Sequence, residues 1–182
     1  MLYLFIGGGL ILVYIVYSFM NIRKEVIKRE PHQEPKEIHE IADQLSKRSK
    51  LYIMDGLTKL ASDPMGNLDR SGFNASLEIA ELLGITGAEM KKYKYLSLTE
   101  NVMAKTLFLL KKWQRNYMMT CFAYVYQNLG AQTSKDQELL RRKSRVLQMD
   151  TDSLLNDLST EKCKSFKEIY TLVLKNSNNT NW

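Results

Sequence analysis

Residues 1–20 contain no Asp, Glu, Lys or Arg and run through Leu10, Ile11, Leu12, Val13, Ile15 and Val16. About 20 predominantly apolar residues in helical form cross the hydrocarbon core of a bilayer. In lipid a single segment must satisfy its own backbone groups, and a helix does so. The run therefore predicts one N-terminal transmembrane helix. A cleaved signal would start with basic residues, carry a shorter apolar stretch and end in small side chains. This run ends in Ser18, Phe19 and Met20, so an uncleaved anchor is expected. Arg23, Lys24, Lys28 and Arg29 follow it closely. Basic residues near a span stay on the cytoplasmic side, which puts the N-terminus outside and the rest of the chain in the cytoplasm. Gly7, Gly8 and Gly9 offer a smooth face on which two such spans pack closely, a candidate for self-association.

The 26 Lys and Arg against 20 Asp and Glu leave a formal charge of +6, all of it on the residues after the span. Such a balance favours an anionic contact: a lipid surface, a nucleic acid or an acidic protein face. Cys121 and Cys163 have no cysteine or histidine nearby at metal-ligand spacing. Both are expected as reduced thiols, with Cys121 in the core.

Behind the span, residues 21–37 are charged and polar and include Pro31 and Pro35, which predicts a tether. Residues 38–175 are expected to fold as one all-α cytoplasmic domain, and residues 176–182 to form a disordered tail. Ile38, Ile41, Ala42, Leu45, Tyr52, Ile53, Leu57 and Leu60 recur at helical spacing, as one long helix or two short ones. Residues 62–67 are dense in turn formers. Asn74 is the expected cap of a helix running to Leu83 and stopped by Gly84. The most apolar stretch of the body predicts a single central helix over residues 99–129, from a Thr99 cap to Gly130. As a second span it would bury Lys105, Lys111, Lys112 and Arg115, at a cost of about 2.5 to 3.5 kcal/mol each near the bilayer centre. Ser134 with Gln137 forms an expected capping box for a helix through Leu147. Two further helices are expected near residues 152–158 and 165–174. No period-2 run bounded by turns and no internal repeat is present, so the fold class is all-α.

Residues 76–95 place Ile79, Leu83, Ile85, Met90 and Tyr93 at the apolar positions of two short crossing helices. Ala80 stands where they approach, Gly84 where the turn needs φ > 0, and Thr86 at the second N-cap. The segment resembles the helix-turn-helix unit of DNA-binding proteins. That resemblance implies a second helix from Gly87 entering the major groove, with Ala88, Glu89, Lys91 and Lys92 facing bases or phosphates and Lys94 on the backbone. Read without DNA, the same residues make an αα-hairpin that packs, or a surface for a protein partner.

Basic residues gather most densely at Arg141, Arg142, Lys143 and Arg145, the candidate patch for an anionic inner leaflet. Tyr117, Tyr124, Tyr126, Trp113, Met118 and Met119 are of the types enriched at protein interfaces, and of the types found in cores. His32 and His39 are the two histidines, and with Asp43 they supply no third ligand for a metal and no HExxH. No glycine-rich phosphate loop and no nucleophile tied to a base is evident. The expectation is a non-catalytic module without cofactor or metal, held at the cytoplasmic face of a membrane through residues 1–20. There it recruits or scaffolds a protein partner, with a larger envelope assembly as one setting for that role; the alternative is a membrane-tethered DNA-binding regulator.

Overall fold

The computed structural model describes residues 38–62, 67–86, 110–160, 163 and 165–178, leaving aside the side chains of His39 and Asn178. All belong to the compact unit spanning residues 36–182. The expected span at residues 1–20 with Gly7, Gly8 and Gly9, the tether at 21–37, and residues 87–109 with Ala88, Glu89, Lys91, Lys92 and Lys94 lie outside the described residues. Among the described residues no helix is long and apolar enough to cross a membrane.

The described residues form an all-α fold of seven helices: α1 (Ile38–Gln44), α2 (Lys47–Leu60), α3 (Arg70–Leu82), α4 (Lys112–Gln127), α5 (Ser134–Val146), α6 (Thr151–Thr160) and α7 (Phe166–Asn178). An isolated bridge between Ser62 and Leu68 closes the turn before α3. The architecture centres on α4, which packs against α2, α3, α5 and α7. Eleven of its sixteen residues are buried, more than one face of a helix can hold, so it is surrounded rather than laid on a surface.

Local chemistry explains where each helix begins. Two helices, not one, cover residues 38–60, because the Ser46 hydroxyl accepts the Ser49 amide at 3.1 Å and restarts the chain. The expected cap at Asn74 is corrected: α3 begins at Arg70, and Asp69 is its cap. One Asp69 carboxylate oxygen accepts the Gly72 amide at 2.7 Å. The other accepts the Gly130 amide at 3.1 Å, and the Asp69 amide donates to the Ala61 carbonyl at 2.8 Å. This carboxylate thus joins the end of α2, the start of α3 and the α4–α5 loop. Asp69→Ala is expected to cost about 1 to 2 kcal/mol in chemical denaturation, the upper part of the range for a lost cap, since two helix junctions lose their anchor.

The central helix is shorter than the sequence predicts. Lys111 is extended at φ −64°, ψ 155°, and its amide donates to the Gln114 side chain at 2.9 Å, so α4 starts at Lys112. The capping box of α5 sits one residue earlier than expected. Thr133 and Asp136 exchange hydrogen bonds, with the Thr133 amide donating to Asp136 at 2.8 Å. A carboxylate outcompetes the neutral Gln137 there, because it accepts more strongly and meets the positive end of the helix. Asn176 and Ser177, assigned to a disordered tail, are buried in the last turns of α7. The Asn176 amide donates to Asp157 on α6 and to the Leu172 carbonyl, both at 3.0 Å. That bond, with Lys175 at 3.2 Å, holds the Asp157 carboxyl below its ordinary range.

Candidate interaction surface

Of the two readings their residue types allow, core and partner surface, the aromatic and methionine side chains of α4 take the first almost throughout. Tyr117, Met118, Met119 and Tyr126 are buried, as is Trp113. Tyr124 alone is half-exposed, and its hydroxyl donates to Glu78 of α3 at 2.5 Å. Burial and that carboxylate push its phenol up to about 12. Burial likewise raises the phenols of Tyr117 and Tyr126 and the thiol of Cys121, which is sealed in the core and therefore protonated and unreactive. Each is raised in the folded state, so the unfolded chain releases these protons first. Their contribution to stability is complete below the ordinary thiol value of 9.0 and is lost as pH climbs through the folded values toward 12 and beyond. Denaturant midpoints of the full chain are expected to fall steadily over that range, and Tyr124→Phe to flatten the fall.

The exposed large apolar side chains among the described residues lie elsewhere: Leu68 (55% exposed), Leu77 (42%) and Leu82 (44%). All three belong to α3 or its lead-in. The helix turns Ala75, Ser76, Ile79 and Ala80 inward, so Leu77 projects on the far side among exposed Arg70, Asn74 and Glu81. Leu68 stands at the lip of a groove of about 310 Å³, whose apolar floor is Leu60 and Leu129 and whose rim carries Asp69, Lys135 and Asp136. An apolar floor with a charged rim is the composition of a surface that holds a partner's side chain.

The C-terminal end of α3 turns inward the residues that an αα-hairpin and a helix-turn-helix unit alike would bury. Ile79, Ala80 and Leu83 are buried, and Ile85 is half-buried against the core. Gly84 has φ +66°, and the Ile85 amide reaches back to the Ala80 carbonyl at 2.9 Å. A Cβ on Gly84 would meet nothing within 4 Å, so glycine is required there by the backbone angle rather than by crowding.

The basic cluster on α5 is not one surface. Lys143 is fully buried: it shares the inward stripe with Leu139, Leu140 and Leu147, and that i, i+3, i+4 spacing was the legible signal of its burial. Its ammonium lies 4.2 Å from the centre of the Tyr52 ring and 5.8 Å from that of Phe122, a cation held on aromatic faces. Arg142 and Arg145 remain exposed, and half-buried Arg141 pairs with Asp152 at 3.3 Å. Both cysteines are free thiols, and among the described residues no three His, Cys, Asp or Glu side chains converge as a metal site would require.

Fold and surface together define an all-α domain wrapped around one buried helix, with its apolar side chains exposed on α3. No protein family, curated protein or solved structure matches this chain.

Proposed function

We propose that the chain is a membrane-anchored, non-catalytic interaction module whose helical domain holds a protein partner at the cytoplasmic face through α3. The observation that supports this reading is that the exposed large apolar side chains among the described residues, Leu68, Leu77 and Leu82, all fall on α3 or its lead-in, with Leu68 at the lip of an apolar groove, while the aromatic residues of α4 are mostly core. Residues 1–20 supply the anchor, the basic residues after them set the orientation, and Gly7, Gly8 and Gly9 let two anchors associate. Tethering raises the local concentration of the domain at its partner, so an apolar contact of modest area suffices.

Photo-crosslinking in intact cells tests it, with a reactive residue placed at Leu77 or Leu82 of the full chain and, as control, at Arg145 on α5. One discrete adduct from both α3 positions, absent from the control and lost with Leu68→Lys, is the expected result. Labelling no different from the control overturns the reading. A reporter that fluoresces in the cytoplasm, fused after Trp182, tests the orientation separately.

The left-handed Gly84 favours a second reading, a tethered DNA reader using residues 76–95. That reading requires duplex binding by the full chain that weakens steeply with salt and is lost in Lys91→Ala/Lys92→Ala. Duplex binding insensitive to either change excludes it.

A further inference from the structure

The outward side of α3 carries an ordered stripe. Arg70, Asn74, Leu77 and Glu81 are all exposed, and they recur at spacings of four, three and four. With 3.6 residues to a turn they fall within about 60° of one another on the helix surface. Alternating steps of three and four are the spacing of a helix that packs along another helix. Leu77, in the middle of the stripe, is 42% exposed, while Gly72, Ala75, Ser76, Ile79 and Ala80 fill the inward side.

The charges at the two ends of that stripe are the reverse of what the helix itself favours. The N-terminus of a helix is the positive end of its dipole and suits carboxylates, and the C-terminus suits cations. α3 has no acidic residue in its first turn and no basic one in its last; Arg70 is its first residue and Glu81 its last but one. Lys50 of α2 reaches the Leu83 carbonyl at 2.7 Å, but neither Arg70 nor Glu81 forms an ion pair among the described residues. A second α3 running antiparallel answers both charges. With a twofold axis between residues 75 and 76, Arg70 stands opposite Glu81 of the second copy and Asn74 opposite its Leu77, and each pairing occurs twice. Arg70 then lies at the negative end of the facing helix and Glu81 at its positive end. The two Leu77 side chains come together beside the axis, and Leu82 falls level with the lead-in of the facing helix, where Leu68 stands exposed.

A twofold contact uses the same patch on both chains, so that patch must complement its own reverse. An unrelated partner imposes no such condition, and the stripe of α3 meets it. We infer that α3 binds a second copy of this chain, the two α3 helices lying antiparallel with Arg70 of each facing Glu81 of the other. This rests on the reading of α3 as the partner surface and names its occupant. Asn74 within the seam fixes the register at some loss of strength, as a polar residue in a helix seam does. A contact along thirteen residues, about 20 Å of helix, is small, so it suits copies already held near each other.

Two differently tagged forms of the full chain made in the same cells test it, one of them carrying a photo-reactive residue at Leu77. The expected adduct joins two copies of the 21.1 kDa chain and contains both tags. Arg70→Glu in both forms, or Glu81→Arg in both, sets like charges opposite each other at both ends of the seam and is expected to lower the yield about tenfold or more. Arg70→Glu in one form with Glu81→Arg in the other restores opposite charges, and with them the adduct. That recovery also shows that these exposed substitutions leave the fold intact. Equal yields in every combination overturn the inference, because proximity through the anchor would then account for the adduct. Failure of the mixed pair to recover overturns it as well. An adduct with a different protein, lacking the second tag, overturns the self-pairing yet leaves α3 a partner surface. No adduct above that from the Arg145 control overturns both.

Discussion

Phe122→Ala is expected to lower the stability of the domain by about 3 to 5 kcal/mol, the range for a large aromatic lost from a filled core. Phe122 is fully buried at the middle of α4, where α2 and α5 close over it. Its ring meets Tyr52 edge-on, with centroids 5.8 Å apart and planes at 87°, and contributes a second aromatic face to the Lys143 ammonium. Truncation would remove the ring contact, open a cavity and leave the ammonium with one of its two aromatic neighbours. Denaturation of the full chain followed by circular dichroism measures the loss; a cost below about 1.5 kcal/mol, within the range of a tolerated hydrophobic swap, would show that the core refills around the missing ring.

Gly56→Ala, which by helix propensity alone should stabilise α2 by about 1 kcal/mol, is expected instead to destabilise it by about 2 kcal/mol. An added Cβ would sit 2.4 Å from one edge carbon of Phe122, 3.0 Å from the next and 3.2 Å from the Lys143 stem. The ring edge cannot yield, because Tyr52 and Lys143 hold it from two sides, and overpacking a filled core costs about 1 to 3 kcal/mol. Gly72 in α3 is the contrast. There the nearest atom to an added Cβ is the end of the half-buried Leu129 side chain at 2.6 Å, which can rotate away, so Gly72→Ala is expected to be near neutral. Because Gly56 and Phe122 share one space, Gly56→Ala should cost much less in a Phe122→Ala background. Additive losses in that double-mutant cycle would contradict the packing described.

Several helix ends were legible in part because their signals are local. Gly84 announces a left-handed stop from its residue type, and the turn formers at residues 62–67 mark the break that the Ser62–Leu68 bridge closes. The starts were harder to read. Asp69 and Asn74, or Thr133 with Asp136 and Ser134 with Gln137, are rival caps of nearly equal strength in isolation. The choice at α3 fell to Asp69 because its second oxygen also reaches Gly130, a partner 61 positions along the chain. Asn176 was placed in a tail because its surroundings carry no apolar pattern; its bond to Asp157 exists only once α6 and α7 are side by side.

The residues that bear on function divide in the same way. Arg142 and Arg145 are where a charge pattern puts them, on the surface, whereas Lys143 between them is in the core, because the inward stripe of α5 passes through its position and its nitrogen lies over the Tyr52 ring. Sequence by itself determined the helical class of the described domain and the burial of Cys121, since these follow from periodicity and apolarity over neighbouring residues. Tertiary structure decided which leucines stay outside, which lysine goes inside and which caps are used, because each is a competition between near-equal local options that distant contacts break.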